Sequence, residues 1–415
     1  MKLSYTTLRD ICTTHAAFRR RLRLQPVGGK GDKLFPSTYP GETKDDPPMH
    51  AFERRRIDGR EVVCVILSSV PSDINWLEEA LLAVVREGAV ELPLIEVDFA
   101  AAGLPAIGHI TSLDAPHRVY DAIIRDSNYN GVPFMKSEVG ERLRRAQLSD
   151  ATALLELSPT ALIYGAWHTQ GEDGAMGARF PRCVVSEIVG VDTPADALGD
   201  PAKTGVEYRS ATKRTGGRID RLGILKRVEV YQGENGWATN KRDAGKGAVK
   251  VRPSEINHGN IAPSFEALGV TMEYAEQTVV ITCAGLRRLG FGGGQKNTAA
   301  RAYLAALALL SVVERDLRGY ALRSRCDLVP EKPAPWEIVA ADGTVTTFEI
   351  DVKSARELYA RALEEARKVG FALRSKPLRL TPQPKLVDIV LQSQQQSLVA
   401  EKGKASTPRV KVVRG

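Results

Sequence analysis

The chain has 415 residues, of which 43% are apolar, and this is ample for a packed core and excludes a globally disordered protein. The length allows one elaborated domain or two domains. The formal net charge of +8 is concentrated in two segments. Residues 1–60 contain 13 Lys/Arg against 7 Asp/Glu, residues 200–260 also contain 13 against 7, and the remaining residues contain 32 against 36. Such clustering favours a polyanionic partner, such as nucleic acid, over cations that serve only solubility.

The cysteines and histidines indicate neither a disulfide framework nor a metal site. Five cysteines are dispersed without CxxC spacing, and six histidines show no HExxH or HxH spacing. We therefore predict no metal and no cofactor, and we expect a reducing, cytoplasmic location. No secretory signal is expected from the first twenty residues, and the longest apolar helix, around 303–313, is too short to cross a bilayer.

The first predicted element is a strand over residues 17–25. Because side chains alternate along a strand, Arg19, Arg21 and Arg23 fall on one face and two leucines fall on the other. Alternate positions stand about 6.6–6.8 Å apart, close to the spacing of an extended nucleic-acid backbone, and arginine binds phosphate in a fork geometry. RNA binding is favoured over the alternative, a solvated edge strand protected by charge.

A glycine-rich loop, Gly28–Lys33, follows this strand. Its exposed backbone amides, together with Lys30 and Lys33, are suited to cradle a phosphate.

Strands and helices then alternate along the chain. Residues 62–70 form an apolar, β-branched run that is typical of a buried central strand. Ser72 or Asp73 can cap the helix that follows, whose apolar stripe faces the core. Further strands are predicted over residues 92–99, 161–169, 183–191, 270–283, 319–329 and 337–350, the last of them a hairpin that turns at Asp342-Gly343. Further helices are predicted over residues 116–126, 136–147, 298–317 and 352–369.

Regular patterning is lost in residues 192–259, where Gly, Lys, Arg and Thr dominate. This segment is predicted to be an inserted cationic subdomain, with Lys213, Arg214 and Arg218 as candidate RNA contacts. The tail from residue 392 onward is rich in Gln, Ser and Lys and is predicted to be disordered.

The order of the elements predicts an α+β protein with a sheet that carries helices on one side. A modified ferredoxin-like, RNA-recognition-motif core fits this order. We assign residues 1–191 and 260–380 to the core, residues 192–259 to the basic insertion, and residues 381–415 to a C-terminal extension.

The segment Arg252–Ile261 concentrates hydrogen-bonding side chains in a way that suits a loop gripping a polar ligand. Glu255 and His258 are spaced like an acid–base pair. However, no nucleophile, second histidine or metal-ligand cluster lies near them in the sequence. Binding to RNA bases or sugars is therefore favoured over catalysis, and Glu255 is a candidate to order Arg252 or to cap a local turn.

Together with Phe180–Gly190 and Leu113–Arg118, this segment resembles the backbone subunit of type I-U (I-G) CRISPR effector complexes, a family of the RAMP superfamily of RNA-binding proteins. The resemblance covers roughly residues 17–315. It implies a non-catalytic subunit that polymerises head to tail along guide crRNA and presents the guide for pairing with target DNA. It also implies other Cascade subunits as partners, a separately recruited helicase-nuclease, a role in antiviral defence, and a thumb-like insertion, for which residues 192–259 are the best candidate.

The same resemblance implies individual RNA contacts in the polar loop. By this resemblance, the loop residues that bind RNA or fix the loop are Arg252, Asn257, His258 and Asn260.

Two further motifs resemble the family. Ser69–Glu78 resembles a turn between a strand and a helix, which assigns Ser69 and Asn75 to RNA. The family commonly has a basic residue after the asparagine, whereas this chain has Trp76, suited either to stack on a base or to lie buried at the helix start. At the start of the next predicted helix, His117 and Arg118 either reach RNA or have a structural role.

Two rival functions remain open at this level. Some RAMP proteins are metal-independent ribonucleases that process precursor crRNA with a histidine, and His258 is the candidate here. The other rival is a general single-strand binder. Cleavage of repeat RNA would favour the first, and binding without preference for guide RNA would favour the second.

Overall fold

In the computed structural model, the described residues are 3–40, 49–168, 178–194, 212–214, 217, 219, 221–261, 265–267 and 269–406. They belong to two compact units, one drawn from residues 1–206 and 269–383 and the other from residues 207–268 and 384–415. This division differs in detail from the boundaries expected from the sequence, because residues 260–268 and the C-terminal segment group with the second unit.

The described residues contain both helices and strands, so the predicted α+β class is confirmed. The α-helices are α1 (Tyr5–Thr14), α2 (Val70–Arg86), α3 (Ala122–Arg125), α4 (Glu138–Arg144), α5 (Thr152–Leu157), α6 (Thr160–Tyr164), α7 (Cys283–Arg287), α8 (Gly294–Arg318), α9 (Val352–Lys368) and α10 (Pro384–Ser406). Short 3-10 helices span Arg118–Tyr120, Phe134–Lys136 and Pro253–Ile256. The strands are β1 (Ala17–Pro26), β2 (Thr38–Tyr39), β3 (Met49–His50), β4 (Phe52–Ile57), β5 (Arg60–Ser68), β6 (Ile95–Asp98), β7 (His109–Thr111), β8 (Ser127–Tyr129), β9 (Val132–Pro133), β10 (Ala166–Trp167), β11 (Arg179–Phe180), β12 (Val184–Val191), β13 (Thr212–Arg214), β14 (Val230–Gly233), β15 (Gly236–Ala238), β16 (Val249–Val251), β17 (Phe265–Ala267), β18 (Tyr274–Thr282), β19 (Tyr320–Arg323), β20 (Cys326–Pro330), β21 (Trp336–Val339), β22 (Val345–Phe348) and β23 (Leu378–Pro382).

The first unit is built on a large antiparallel sheet with β1 near its middle. The strand order is β19-β20-β1-β18-β12-β5-β4, and β21 and β22 extend it from β1. On one side β1 pairs with β18 over Ala17–Leu24, and on the other it pairs with β21 at its start and with β20 at its end. Both sides of β1 are therefore hydrogen-bonded, and it is not an edge strand.

One face of this sheet is covered by helices. α2 packs on β12, α8 packs on β18, and α8 also contacts α1, α2 and α9. The residues of β1 that face these helices, such as Phe18 and Leu24, are fully buried. Odd-numbered residues of β1 lie on the opposite face, which we call the outward face.

Smaller sheets complete the described chain. In the first unit, β7-β6-β23-β8-β9 form a five-stranded sheet in which β6 and β23 are parallel. In the second unit, β15-β14-β16 form an antiparallel sheet, β13 pairs with β17, and α10 contacts β14.

Several predicted elements are confirmed. The strands over 17–25 and 183–191 correspond to β1 and β12, and the helices over 298–317 and 352–369 correspond to α8 and α9. The predicted turn at Asp342-Gly343 joins β21 to β22, and the Asp342 carboxylate accepts a hydrogen bond from the Thr344 amide at 2.9 Å.

The start of α2 was wrongly predicted. The helix begins at Val70, after the extended residue Ser69, and not after a cap at Ser72 or Asp73. Pro71 lies in the first turn, where backbone N–H groups have no partner within the helix, so the missing N–H of proline breaks no hydrogen bond. Asp73 is consequently inside the helix and fully buried.

The strand expected over residues 62–70 is β5, but it is not central. It lies between β12 and the edge strand β4. Its apolar residues on the outward face are covered by a small second cluster that includes Cys64, Val189 and Val191. Because both faces of β5 are covered, its residues are apolar on both sides. A strand next to the sheet edge therefore has the sequence pattern of a central strand.

The prediction of a strand over residues 161–169 is wrong. The chain forms α6 and then the short strand β10, with Thr160–Tyr164 buried throughout. A short run that is apolar on all sides does not distinguish a buried helix from a buried strand.

Two predicted helices are shorter than expected. Residues 116–126 contain a 3-10 turn followed by α3, which Asp121 caps by accepting from the Ile123 amide at 2.9 Å. Residues 136–147 contain α4, which begins after Ser137 and ends at Arg144.

Part of the tail that was expected to be disordered is helical, since α10 continues to Ser406, and residues 407–415 lie outside the described residues. Within the described residues, no helix is long and apolar enough to cross a membrane.

Candidate nucleic-acid interface

Arg19, Arg21 and Arg23 of β1 stand on the outward face of the large sheet, as the two-residue period predicted. Exposure alternates along the strand, with Arg21 and Arg23 exposed and Leu22 between them buried. The side chains of Arg19 and Arg21 are 38% and 55% exposed. Since alternate strand positions are about 6.6–6.8 Å apart, the three guanidinium groups form a row on one surface.

Two arginines of this row are held by glutamates from the adjacent strands. Arg21 donates from Nε and Nη2 to Oε1 of Glu276 on β18, at 3.1 and 2.9 Å. Arg19 donates from Nε to Oε2 of Glu337 on β21, at 2.5 Å. The hydrogen bonds that Arg21 donates to Glu276 raise the pKa of Arg21. The two cations therefore have defined positions before any ligand binds.

The third arginine of the row lies against an aromatic ring. The guanidinium carbon of Arg23 is 4.1 Å from the ring centre of Tyr274 on β18, a distance at which a cation and a ring attract each other. Tyr274 was not predicted as a site residue. The alternation of β18, which places Tyr274 and Glu276 on the same face, is the signal that points to it.

Arg20 lies between these arginines in sequence but points into the core, where it is 5% exposed. Its guanidinium forms an ion pair with Asp316 on α8 through both nitrogens, and Nη2 also donates to Oε1 of Gln277 at 3.0 Å. Burial lowers the pKa of Arg20, but the hydrogen bond and charge of Asp316 more than offset this effect and leave the pKa raised. Arg20 thus stays charged and anchors the middle of the sheet to α8.

The buried network continues from Gln277 to α2. Gln277 Nε2 donates to Asp73 Oδ2 at 3.1 Å and to Ser186 Oγ at 3.2 Å, and Ser186 also donates to Asp73. Asp73 and Ser186 lie in two of the segments that resemble the family, and all three side chains are fully buried. These segments therefore also have a packing role, because they tie α2 and β12 to the sheet behind the outward arginines.

The loop after β1 carries the two predicted lysines. Lys30 is 65% exposed, and its Nζ lies 3.3 Å from Glu331 Oε1. Burial, together with the nearby charge of Arg325, lowers the pKa of Lys33. Lys30 is thus an exposed cation at the end of the arginine strand, and Lys33 is a partly covered one.

The start of α2 presents Asn75 to solvent, while Ser69 is half-buried and makes no capping hydrogen bond through its side chain. Trp76 is also half-buried, and the guanidinium of Arg315 lies 5.9 Å from its ring centre. Packing of Trp76 beside Arg315 agrees better with a role at the helix start than with stacking on a base. RNA contact by Ser69 and Asn75 stays a prediction.

Asn75 also lines a groove of about 970 Å³ between α2 and residues 113–116. Acidic side chains outnumber basic ones in the same groove, where Glu79, Glu87 and Asp114 lie together with Arg86. A phosphate is repelled by such a surface, so we do not place the RNA backbone in this groove.

Arg118 is engaged inside the protein. It donates from Nε and Nη2 to the two carboxylate oxygens of Glu78, at 2.6 and 2.9 Å, and from Nη1 to the Gly165 carbonyl at 3.0 Å. Its side chain is 15% exposed and that of Glu78 is 6% exposed. This geometry favours the structural alternative for Arg118, whereas His117 is exposed. Contact of either residue with RNA stays a prediction.

In the second unit, local hydrogen bonds order the polar loop. The Glu255 carboxylate accepts from the Arg252 amide at 2.6 Å, which confirms that Glu255 orders this turn. Asn257 ends the 3-10 helix in the left-handed conformation, with φ of 63°. The His258 amide donates to the Pro253 carbonyl at 2.8 Å. Arg252 and Asn257 are exposed, so the turn displays a cation and an amide.

The His258 ring packs against an aromatic neighbour that was not predicted. Its centroid is 5.5 Å from that of Trp237 on β15, in an edge-to-face arrangement. Trp237 is 52% exposed and Asn260 is also exposed. Lys213 and Arg214 lie on β13, and Arg218 lies outside the described residues.

The residues predicted as one RNA site are therefore divided between the two units. The first unit carries the arginine row, Lys30 and Lys33, and the second carries the polar loop. Within the described residues, no group of three or more His, Cys, Asp or Glu side chains is placed to hold a metal ion.

A comparison with protein families matches a part of the chain that includes the arginine row. Residues 19–194 match the family described as CRISPR-associated protein GSU0053 (Cas_GSU0053). This range contains the arginine row, Asp73 and Ser186. No curated protein matches the chain. The matched segment, which is less than half of the chain, marks a CRISPR-associated protein of the Cas7/RAMP-like type.

Proposed function

We propose that this CRISPR-associated protein is the non-catalytic backbone subunit of a Cascade complex. It would polymerise along guide crRNA and present the guide for pairing with target DNA. The observation that carries the proposal is the row formed by Arg19, Arg21 and Arg23 on the outward face of the sheet. Other Cascade subunits and a separately recruited helicase-nuclease complete the proposed partners.

The topology of the sheet supports an RNA-binding core. Along the chain, the elements run β1, α2, β12, β18, α8, β20, and across the sheet the order is β20-β1-β18-β12. This is the connectivity expected of a ferredoxin-like, RNA-recognition-motif core, with the β4–β5 hairpin added beside β12. We infer that the outward face of this core is the RNA-binding face, since helices cover the other face.

The charge of the second unit supports a role as a thumb over the RNA. Residues 207–268 contain 12 Lys/Arg and 7 Asp/Glu, a net charge of +5. A backbone subunit must accept any guide sequence, so we expect it to bind mainly phosphate and sugar. Clustered cations meet that requirement without reading bases.

Polymerisation along RNA requires a heterologous interface between copies. Such an interface joins different surfaces of the same chain and propagates head to tail instead of closing into a dimer. We therefore expect the purified protein to form elongated particles on guide RNA, with a mass that increases with the length of the RNA.

The arginine row is tested by measuring RNA affinity over a series of salt concentrations. The triple variant Arg19→Ala, Arg21→Ala, Arg23→Ala removes about three phosphate contacts. On the scaling for single strands, the slope of log K against log salt should become shallower by about 2. Fluorescence anisotropy with a labelled guide RNA gives this slope directly.

A matched control removes three exposed cations from the helical side of the first unit. Arg318, Arg361 and Lys368 are each paired with a glutamate there, and their replacement by alanine should leave the slope unchanged. An unchanged slope in the β1 triple variant would contradict the proposal. Metal-independent cleavage of repeat RNA by the wild type, lost in His258→Ala with binding retained, would favour the ribonuclease instead.

A further inference from the structure

Three cations of the proposed RNA surface are already in contact with carboxylates. On the outward face, Arg19 pairs with Glu337 and Arg21 pairs with Glu276. At the end of β1, Lys30 lies 3.3 Å from a carboxylate oxygen of Glu331. A phosphate that approaches this row therefore meets cations whose charge is compensated in the free protein.

The two glutamates are held in place by the sheet. Glu276 is on β18, directly across from Arg23, and Glu337 is on β21, directly across from Arg19. These strands flank β1 on its two sides. The side chains of Glu276 and Glu337 are 13% and 30% exposed, less than those of the arginines that they bind. The carboxylates thus stay close to the row even when their hydrogen bonds are broken.

Building on the proposed function, we propose that Glu276 and Glu337 act as intramolecular competitors of RNA phosphate at the arginine row. Phosphate takes the place of the carboxylates on Arg21 and Arg19, and each glutamate lowers the affinity of a single subunit for RNA. Arg23, which lies over the ring of Tyr274, is the position that phosphate reaches without this competition.

A physical consequence follows for assembly. Exposed ion pairs are individually weak, so a phosphate can displace them, but each displacement reduces the net gain of binding. A lone subunit therefore binds any RNA weakly. Several subunits on one guide add their contacts, and weak contacts that act together bind far more tightly than one alone. The competitors would thus favour assembled complexes over scattered single subunits on unrelated RNA.

The test compares wild type with Glu276→Gln, Glu337→Gln and the double variant, which keep the shape of each side chain and remove its charge. Affinity for a short single-stranded RNA that spans one subunit is measured at several salt concentrations. Each replacement should raise the affinity about two- to fivefold, as expected for loss of an exposed competing pair. The slope of log K against log salt should stay close to that of the wild type, because phosphate contacts the same three arginines in both proteins.

A control and a coupling test make the result specific. Glu61→Gln removes a similar exposed partner, that of Arg54 on the β4–β5 hairpin, and should leave RNA affinity unchanged. In the background of Arg21→Ala, the gain from Glu276→Gln should disappear, because the glutamate acts through that arginine. Thermal unfolding confirms that each variant is folded.

Two outcomes separate this inference from the proposed function. Wild type that binds RNA through the arginine row, with a double variant that binds no more tightly, overturns the competitor role and leaves the proposed function intact. Wild type and double variant that both fail to bind RNA overturn the two together.

Discussion

Arg20 and Arg21 are consecutive residues of β1, yet Arg20 is 5% exposed in a core network and the side chain of Arg21 is 55% exposed on the outward face. Arg20 joins Asp316 and Gln277 across the inward face, whereas Arg21 contacts one glutamate at the surface. The same residue type therefore supports packing on one face of the strand and is available for a ligand on the other. The two-residue period of the strand decides between these roles, and the local density of positive charge does not.

The largest expected effect on stability is at Arg118. This residue belongs to a predicted RNA motif, but like Arg20 it forms an ion pair inside the protein. Arg118→Ala leaves the carboxylate of Glu78 buried without its partner, and we expect a loss of about 4 kcal/mol in the free energy of unfolding. Urea unfolding of the two proteins measures the difference. A loss below about 1 kcal/mol would mean that Arg118 behaves as a surface cation.

The same variant carries a pH signature. Burial raises the pKa of Glu78, and the hydrogen bond and charge of Arg118 lower it in part, so removing Arg118 should raise the pKa further. A carboxyl group whose pKa is higher in the folded protein binds more protons there, and stability then falls as pH rises from the unfolded to the folded pKa. The loss should therefore be larger at pH 8 than at pH 5. Adding Glu78→Gln to Arg118→Ala should restore part of the stability and remove this pH dependence.

The comparison between adjacent arginines can be broken directly. Arg20→Ala leaves Asp316 without its ion pair and removes a donor to Gln277, and we expect about 3 kcal/mol of destabilisation, less than for Arg118 because Asp316 is 27% exposed. Arg21→Ala is the matched control, with an expected cost below about 1 kcal/mol. The effects on RNA affinity should have the opposite order, so that Arg21→Ala weakens RNA binding more than Arg20→Ala does. Equal effects on stability would contradict the division of roles between the two faces.

The smallest expected effect concerns the polar loop. Asn257 adopts the left-handed conformation, so its role can be conformational or can lie in its amide group. We expect Asn257→Ala and Asn257→Gly both to weaken RNA binding by about 1 kcal/mol, because the amide supplies a hydrogen bond. Glycine adopts the left-handed conformation freely, so wild-type affinity in Asn257→Gly would show that only the backbone shape matters.

His258→Ala should weaken RNA binding by about 1–2 kcal/mol, through loss of a hydrogen bond or of an ordered loop. It should not change any cleavage rate, since we propose no catalysis. Incubation of wild type and variant with repeat RNA in the presence of a chelator tests this point.

Regular periodicity allowed parts of the fold to be predicted from the sequence. The alternation of β1 and the long helices α8 and α9 were predicted because each repeats its apolar residues over many positions. The prediction of a strand over residues 161–169 failed because the buried residues there have no polar face from which a period can be measured. The predicted start of α2 was wrong because Asp73, although a good capping residue, lies in a buried hydrogen-bond network. That network forms only when the sheet and the helix pack together.

The sequence by itself determined the composition of the candidate site: a cationic strand, a basic insertion and a polar loop that resembles a known family. Only the tertiary structure decided which partners these cations have. Arg20 is buried and Arg118 is mostly covered because Asp316 and Glu78, more than 35 positions away in the chain, meet them in the fold. Glu276 and Glu337 were brought beside the arginine row in the same way, since strand pairing joins residues that are distant in sequence. Local patterns report which face a side chain is on, whereas ion pairs depend on which elements pack together.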